Sequence, residues 1–285
     1  MSDDQRRSRM HAPGLRVTVL GAFTLTRDGV AEALSVDARR VVAYLAVHRR
    51  PQPLRTLAAD LWPGVRPDSA ARLLAEALDD VAVPGLLVTG GSAGEPTVAL
   101  GAGVAVDLDE AMALVRTLPE LPPTEVTETD ALRADILPSW TAPWIAVERE
   151  RFRQLRLNAL EDLSIRFSAA GRHEEAVEIA RVAVTAAPSR ENARRALIEA
   201  HLAQGDLAAA VAEYDDYQEL LRSSVGGPVG SGLDVLFPPS PAWPVLRAFR
   251  RPVPRSAVVL PGLRAGRPPA GRRLVAGGSV PGSGR

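Results

Sequence analysis

Two stretches of this chain repeat each other at a spacing of 34 residues. Ala193, Leu197, His201, Gly205, Ala210 and Tyr214 follow Ala159, Leu163, Phe167, Gly171, Ala176 and Ala180, each by 34 positions. Mostly apolar residues four apart, then a glycine, then a further pair four apart give the pattern of helix, tight bend, helix. Thirty-four residues is the length of a two-helix solenoid unit. One such hairpin leaves an apolar face uncovered, so copies stack into a concave surface suited to binding other proteins. The pattern predicts helices at 172–186, 189–204 and 206–222, with Gly171 and Gly205 at the bends. A longer helix precedes them, opening near Pro143, a residue tolerated in a first turn. Its apolar side is Leu155, Leu157, Leu160, Leu163 and Phe167, and Glu148–Arg151 read as a solvated face.

The first 118 residues read differently. Leu15–Leu20 and Phe23–Thr26 alternate as short strands do, with Asp28-Gly29 as a turn. Asp37 is placed to cap a helix carrying Val41, Val42, Leu45 and Ala46, which Pro51 and Pro53 end. Leu54–Trp62 forms a second short helix, and Pro67-Asp68-Ser69 opens a third with Leu73, Leu74, Ala77, Leu78 and Val81 on one side. Leu86–Thr89 and Thr97–Leu100 pair around a glycine-rich turn, and Asp107–Leu118 is helical. The fold class is therefore mainly α with a small β component. Residues 119–134, rich in Pro and Thr, are the expected linker, with 15–118 and 135–222 as domains on either side. Residues 1–14 and 223–285 are expected to be disordered; the latter segment holds 11 Pro and 11 Gly among its 63 positions.

Composition removes whole classes of chemistry. There is no cysteine and no lysine; all 34 basic residues are Arg. Disulfides, thiolate nucleophiles, Cys-type zinc sites and Schiff-base or phosphate-loop lysines are absent with them. No apolar run approaches the roughly 20 residues that span a membrane, and the polar N-terminus with Arg6, Arg7 and Arg9 does not read as a signal peptide. A cytoplasmic protein without membrane contact is expected. The formal net charge of zero hides a split. Residues 1–120 hold 13 Arg and 15 acids, 121–222 hold 12 and 18, and 223–285 hold nine Arg against Asp234 alone. The foldable body is acidic and the tail basic. Such a tail could add nonspecific attraction to DNA; the plainer reading is an uninvolved terminus.

Candidate catalytic motifs fail on context. Gly90-Gly91-Ser92-Ala93-Gly94 matches G-x-S-x-G, but a nucleophile elbow needs a helix after the serine, and here a strand is expected. Gly101-Ala102-Gly103 is a fragment of a phosphate-binding pattern, with Val106 where the third glycine belongs. His11, His48, His173 and His201 have no metal-ligand spacing. His201 stands in the place of Phe167 and reads as a packing residue; His173 reads as exposed. Trp140 and Trp144 suit either a ligand-stacking pair or an anchor for the long helix. No enzyme, metal or cofactor is expected.

Strands, three helices and a strand pair follow the order of a response-regulator-type winged helix. With Leu61-Trp62-Pro63, Val106-Asp107-Leu108-Asp109-Glu110, Asp135-Ile136-Leu137-Pro138-Ser139-Trp140, Trp144, Glu148-Arg149-Glu150 and helices like those of the tetratricopeptide repeat (TPR), residues 15–222 resemble the bacterial transcriptional activator domain (BTAD) proteins of the antibiotic-regulatory-protein (SARP) family. The resemblance implies an N-terminal winged helix-turn-helix that binds direct repeats in promoter DNA. It implies a TPR-like domain that dimerises and contacts RNA polymerase or another regulator. The chain would then be a transcriptional activator acting as a homodimer.

The chain departs from that family in its third helix. Relatives carry several Arg and an Asn there, whereas residues 68–83 hold Arg72 against Asp68, Glu76, Asp79 and Asp80. Base and phosphate contacts lean on Arg, Lys, Asn and Gln. Arg66, Ser69 and Arg72, near the helix N-terminus, are the candidate DNA-binding residues; their plain reading is ordinary solvated side chains. The alternative function is a protein-interaction adaptor whose winged helix no longer reads DNA. In the tail, Pro239-Ser240-Pro241 and Leu246–Phe249 are all that resembles the family's usual ending.

Overall fold

The computed structural model describes residues 14–92, 94–225 and 231–237. Strands β1 (Leu15–Thr18) and β2 (Thr24–Arg27) pair antiparallel, and β2 turns into β3 (Val30–Ala31) through Asp28 and Gly29. Both turn residues have positive φ, 51° and 82°, which is the backbone a two-residue hairpin needs. Helix α1 spans Val36–His48. Its cap is Ser35, whose Oγ accepts from the Ala38 amide at 3.2 Å; Asp37, the expected cap, lies inside the first turn. Then come β4 (Gln52–Pro53), α2 (Leu54–Leu61), α3 (Pro67–Asp79), β5 (Leu87–Ser92), β6 (Glu95–Leu100), β7 (Ala105–Val106) and α4 (Asp107–Thr117). One sheet has the order β3-β2-β1-β7, with β7 parallel to β1; the other is β4-β6-β5. The short β4 and β7 had no signal in the sequence.

Helix α1 is apolar on nearly all sides because it serves two cores. Val42, Ala43 and Ala46 pack on Val17, Val19 and Leu25 of the first sheet. Val41, Tyr44 and Leu45 pack on Leu57 and Leu61 of α2 and on Ala70, Leu74 and Ala77 of α3. The first core is completed from far along the chain by Ile136, Leu137, Ile145 and Phe152. The Leu137 amide donates to the Val19 carbonyl at 2.8 Å, the Gly21 amide donates to the Asp135 carbonyl at 2.9 Å, and Leu20 bridges to Ile136.

Residues 119–134, read as a linker, contain two 3-10 turns, Pro123–Glu125 and Asp130–Leu132. Leu118, Val126 and Leu132 are buried against the helices that follow. Arginines fasten this segment. The Arg166 guanidinium donates to the carbonyls of Leu118 (2.5 Å) and Leu121, and that of Arg172 donates to Pro123 and Val126. One planar guanidinium can satisfy several carbonyls, which an ammonium cannot do in a fixed plane.

The helical half consists of α5 (Pro143–Ala169), α6 (His173–Ala186), α7 (Glu191–Gln204) and α8 (Leu207–Val225). Each packs on the next, and α5 also packs on α7. The repeat positions do what their spacing requires. Leu163 and Leu197, Phe167 and His201, and Ala176 and Ala210 are all buried. Gly171 and Gly205 turn the chain at φ 76° and 83°, where a side chain costs about 1–2 kcal/mol. The expectation of disorder from residue 223 fails in two places. Helix α8 runs to Val225, and residues 232–236 form a 3-10 turn that buries Leu233 against α7 and α8. The Tyr214 hydroxyl donates to Asp234 at 2.7 Å. A buried leucine and a tyrosine–carboxylate bond hold a short segment that has no periodicity of its own. The expectations for residues 1–13, for most of the basic tail and for its family-like fragments lie outside the described residues.

Candidate nucleic-acid interface

Helices α2 and α3 and the turn between them form a helix-turn-helix against α1, and the β5–β6 hairpin is its wing. Trp62 ends α2 and is almost fully buried in the same core. Burial of Ala70, Leu74 and Ala77 fixes the rotation of α3, so Asp68, Ala71, Arg72, Ala75, Glu76 and Asp79 face outward, with Asp80 at the end. The outward side therefore holds one arginine and four acids.

The three candidate contact residues lie at one end of this face. Arg66 is the N-cap of α3, exposed, and makes no side-chain capping bond. Ser69 is half-buried and Arg72 is exposed. Arg72 faces Glu76 at 3.8 Å, with 76% and 65% of the two side chains exposed, a pair worth a few tenths of a kcal/mol at most. Asp68 sits in the first turn, where its charge offsets the positive end of the helix that would otherwise attract a phosphate. The wing adds no cation: residues 84–103 contain no Arg, Lys or His, and Glu95 opens β6. Arg55 on α2 is the nearest further basic residue in sequence. A unit charge about 7 Å from a phosphate is worth about 0.6 kcal/mol in water. Four acids against Arg66 and Arg72 then oppose a phosphate backbone by about 1 kcal/mol before salt screening.

The catalytic fragments have structural explanations. Gly90, Gly91 and Ser92 end β5 and Glu95 opens β6, so a strand follows Ser92. Gly101 is a glycine because a Cβ there would lie 2.2 Å from the Gly85 carbonyl oxygen. No group of three His, Asp or Glu among the described residues is placed to hold a metal ion. His201 is buried, and desolvation lowers its pKa, with Glu213 opposing that shift. His173, expected to be exposed, is half-buried. His48 donates from Nδ1 to the Tyr44 carbonyl at 2.9 Å and stacks on the Tyr44 ring.

Trp140 and Trp144 act as anchors. Trp144 packs on Tyr44 and His48, and Trp140 on Phe23, so both tie the start of α5 to the winged helix. Sequence reasoning missed Arg149. It is not on a solvated face: it donates to the carbonyls of Ile136 (2.7 Å), Leu137 (2.5 Å) and Trp140 (2.8 Å). Burial lowers its pKa. Those carbonyls need a donor because Leu137 has φ 39°, which turns the chain out of strand geometry.

Residues 129–237 match the family model of the bacterial transcriptional activator domain. The match begins at the second 3-10 turn and ends with the segment that buries Leu233. Among solved structures, the chain is similar to Mycobacterium tuberculosis EmbR, in a structure described as a complex with a low affinity phosphopeptide. The likeness has 19% identity and a TM-score of 0.53, and covers 82% of this chain and 68% of that one. At that identity the likeness shows the fold: an N-terminal winged region with small sheets, followed by a helical domain. The resemblance to BTAD proteins of the SARP family thus holds, by the family model over the helical half and by fold over most of the chain. No curated protein sequence matches. No helix of the described residues is long and apolar enough to cross a membrane.

Proposed function

We propose that this protein regulates transcription through protein contacts of its helical half, and that α3 no longer reads DNA bases. The match of residues 129–237 to the activator domain supports the first part. The second rests on one observation: the outward side of α3 carries four acids and one arginine, beside a wing without a cation. Specific DNA interfaces depend on basic groups for both affinity and orientation. The partner is RNA polymerase or another regulator, and the chain acts as a homodimer. Gel filtration of the full chain with purified RNA polymerase from its host tests this. Co-elution that survives Arg72→Ala is the expected result; separate elution of the two, at micromolar concentration, contradicts it.

The second reading is a promoter-binding activator that uses the N-terminal end of α3. It is favoured by the exposure of Arg66 and Arg72 and by Ser69, whose hydroxyl makes no hydrogen bond among the described residues. It predicts a sequence-specific complex that Arg72→Ala weakens and that falls steeply with salt.

A further inference from the structure

Where the winged helix meets α5, the structure leaves a cavity of about 390 Å3, enclosed by the C-terminal end of α1, by α4 and by α5. Its floor is apolar: Val47, Leu108, Met112, Phe152 and Leu155. Its rim is charged, and the charges do not cancel. Arg49 is taken by Asp109 at 2.8 Å. That contact ties α1 to α4, and Arg49 itself is the left-handed C-cap of α1 at φ 55°, its amide donating to the Leu45 carbonyl at 3.0 Å. Arg151 lies 3.9 Å from Glu148, beyond hydrogen-bonding distance, and is 70% exposed. Arg50 is exposed, and its guanidinium has no hydrogen bond or ion pair among the described residues. Three arginines against two carboxylates leave one positive charge over an apolar floor, with the His48 ring beside it.

A concave site of this size, apolar below and with a few convergent polar groups above, is the usual form of a small-molecule site at a junction between domains. We propose that this cavity binds an amphipathic monoanion, a carboxylate carried on an aliphatic or aromatic body. Arg50 and Arg151 take the carboxylate through charge-assisted hydrogen bonds. Met112 and Leu155 cover the apolar body, methionine adapting readily to ligand shape. A neutral amphiphile would leave Arg50 unpaired, and a cation would be repelled by it. This site does not depend on how the protein engages DNA or a partner, since binding is read directly on the full chain.

Isothermal titration of the full chain with octanoate, 3-phenylpropanoate, octan-1-ol and octylammonium tests the assignment. Saturable binding of one equivalent of either carboxylate is expected, with the alcohol at least about tenfold weaker and the ammonium not bound. Preference between the two carboxylates tells an aliphatic from an aromatic body. Arg50→Glu is expected to weaken octanoate at least about tenfold, Arg50→Lys to keep most of the affinity, and Met112→Trp to abolish binding by filling the floor. Circular dichroism melts identify any variant that fails to fold, and Arg222→Ala on α8 serves as the distant control. Two results overturn the proposal: no saturable uptake of either carboxylate up to about 10 mM, or octanoate binding unchanged in folded Arg50→Glu and Met112→Trp.

Discussion

Asp135 is the side chain on which the winged helix and the helical half meet. Its carboxylate accepts from Arg156 at 2.5 Å and Arg153 at 2.9 Å, while its backbone carbonyl accepts from Gly21. Arg156 is 1% exposed and also donates to the Leu132 carbonyl at 3.0 Å. Removing the acid leaves two guanidiniums facing each other without a counter-charge, the costly way to break a buried pair. Asp135→Asn is therefore expected to lose about 3–5 kcal/mol in urea unfolding, and an unchanged midpoint would contradict this. His201 gives a pH effect of known sign. Its pKa is lowered on folding, first by desolvation and against the pull of Glu213 and Asp206, with Arg181 adding to the lowering. The unfolded chain therefore binds the proton more readily. Stability is full above the unfolded value near 6.5 and is lost as pH falls through it toward the folded value. His201→Phe, which copies Phe167 one repeat earlier, should flatten the fall in melting temperature between pH 7.5 and pH 5.5. Parallel curves for the two proteins would assign that fall to other groups.

At the scale of elements, the two bend glycines act independently. Gly171→Ala and Gly205→Ala are each expected to cost about 1–2 kcal/mol, because each residue is held in the left-handed region. The double variant should show the sum, since the bends share no partner; marked non-additivity in urea melts would show that they fold as one unit. These helices were legible in the sequence because their periodicity is local and is stated twice. The hairpin turn at Asp28-Gly29 was legible for the same reason. What lay hidden depends on partners far along the chain. Strand β7 is two residues long and gains its place only from β1. Arg149 sits in a Glu-Arg-Glu-Arg run that looks solvated until three carbonyls are brought to it. Residues 232–236 are ordered by α7 and α8, not by their own pattern. Ser35 and Asp37 are both good caps two positions apart, and the sequence alone did not rank them. In the candidate interface, the acidity of α3 was plain from composition. Its rotation, which turns those acids outward, came from the burial of Ala70, Leu74 and Ala77.

Across the whole molecule, charge separates what the fold resembles from what the surface offers. The winged helix keeps its architecture, including a buried Trp62 and a paired wing, yet its outward helix is negative. Residues 129–237 match the model of the bacterial transcriptional activator domain, and the helical half is joined to the winged helix through Asp135, Arg149 and the two tryptophans. On this account the winged helix serves as a structural base for the helical half. The most direct test is the affinity of the full chain for a duplex from its own upstream region and for a scrambled duplex of the same length and composition. Fluorescence anisotropy at about 50 and 200 mM NaCl covers the range over which phosphate contacts weaken. The account predicts equal, weak binding to both duplexes, unchanged by Arg72→Ala. Preference for the natural duplex by about tenfold or more, lost in Arg72→Ala, would contradict it.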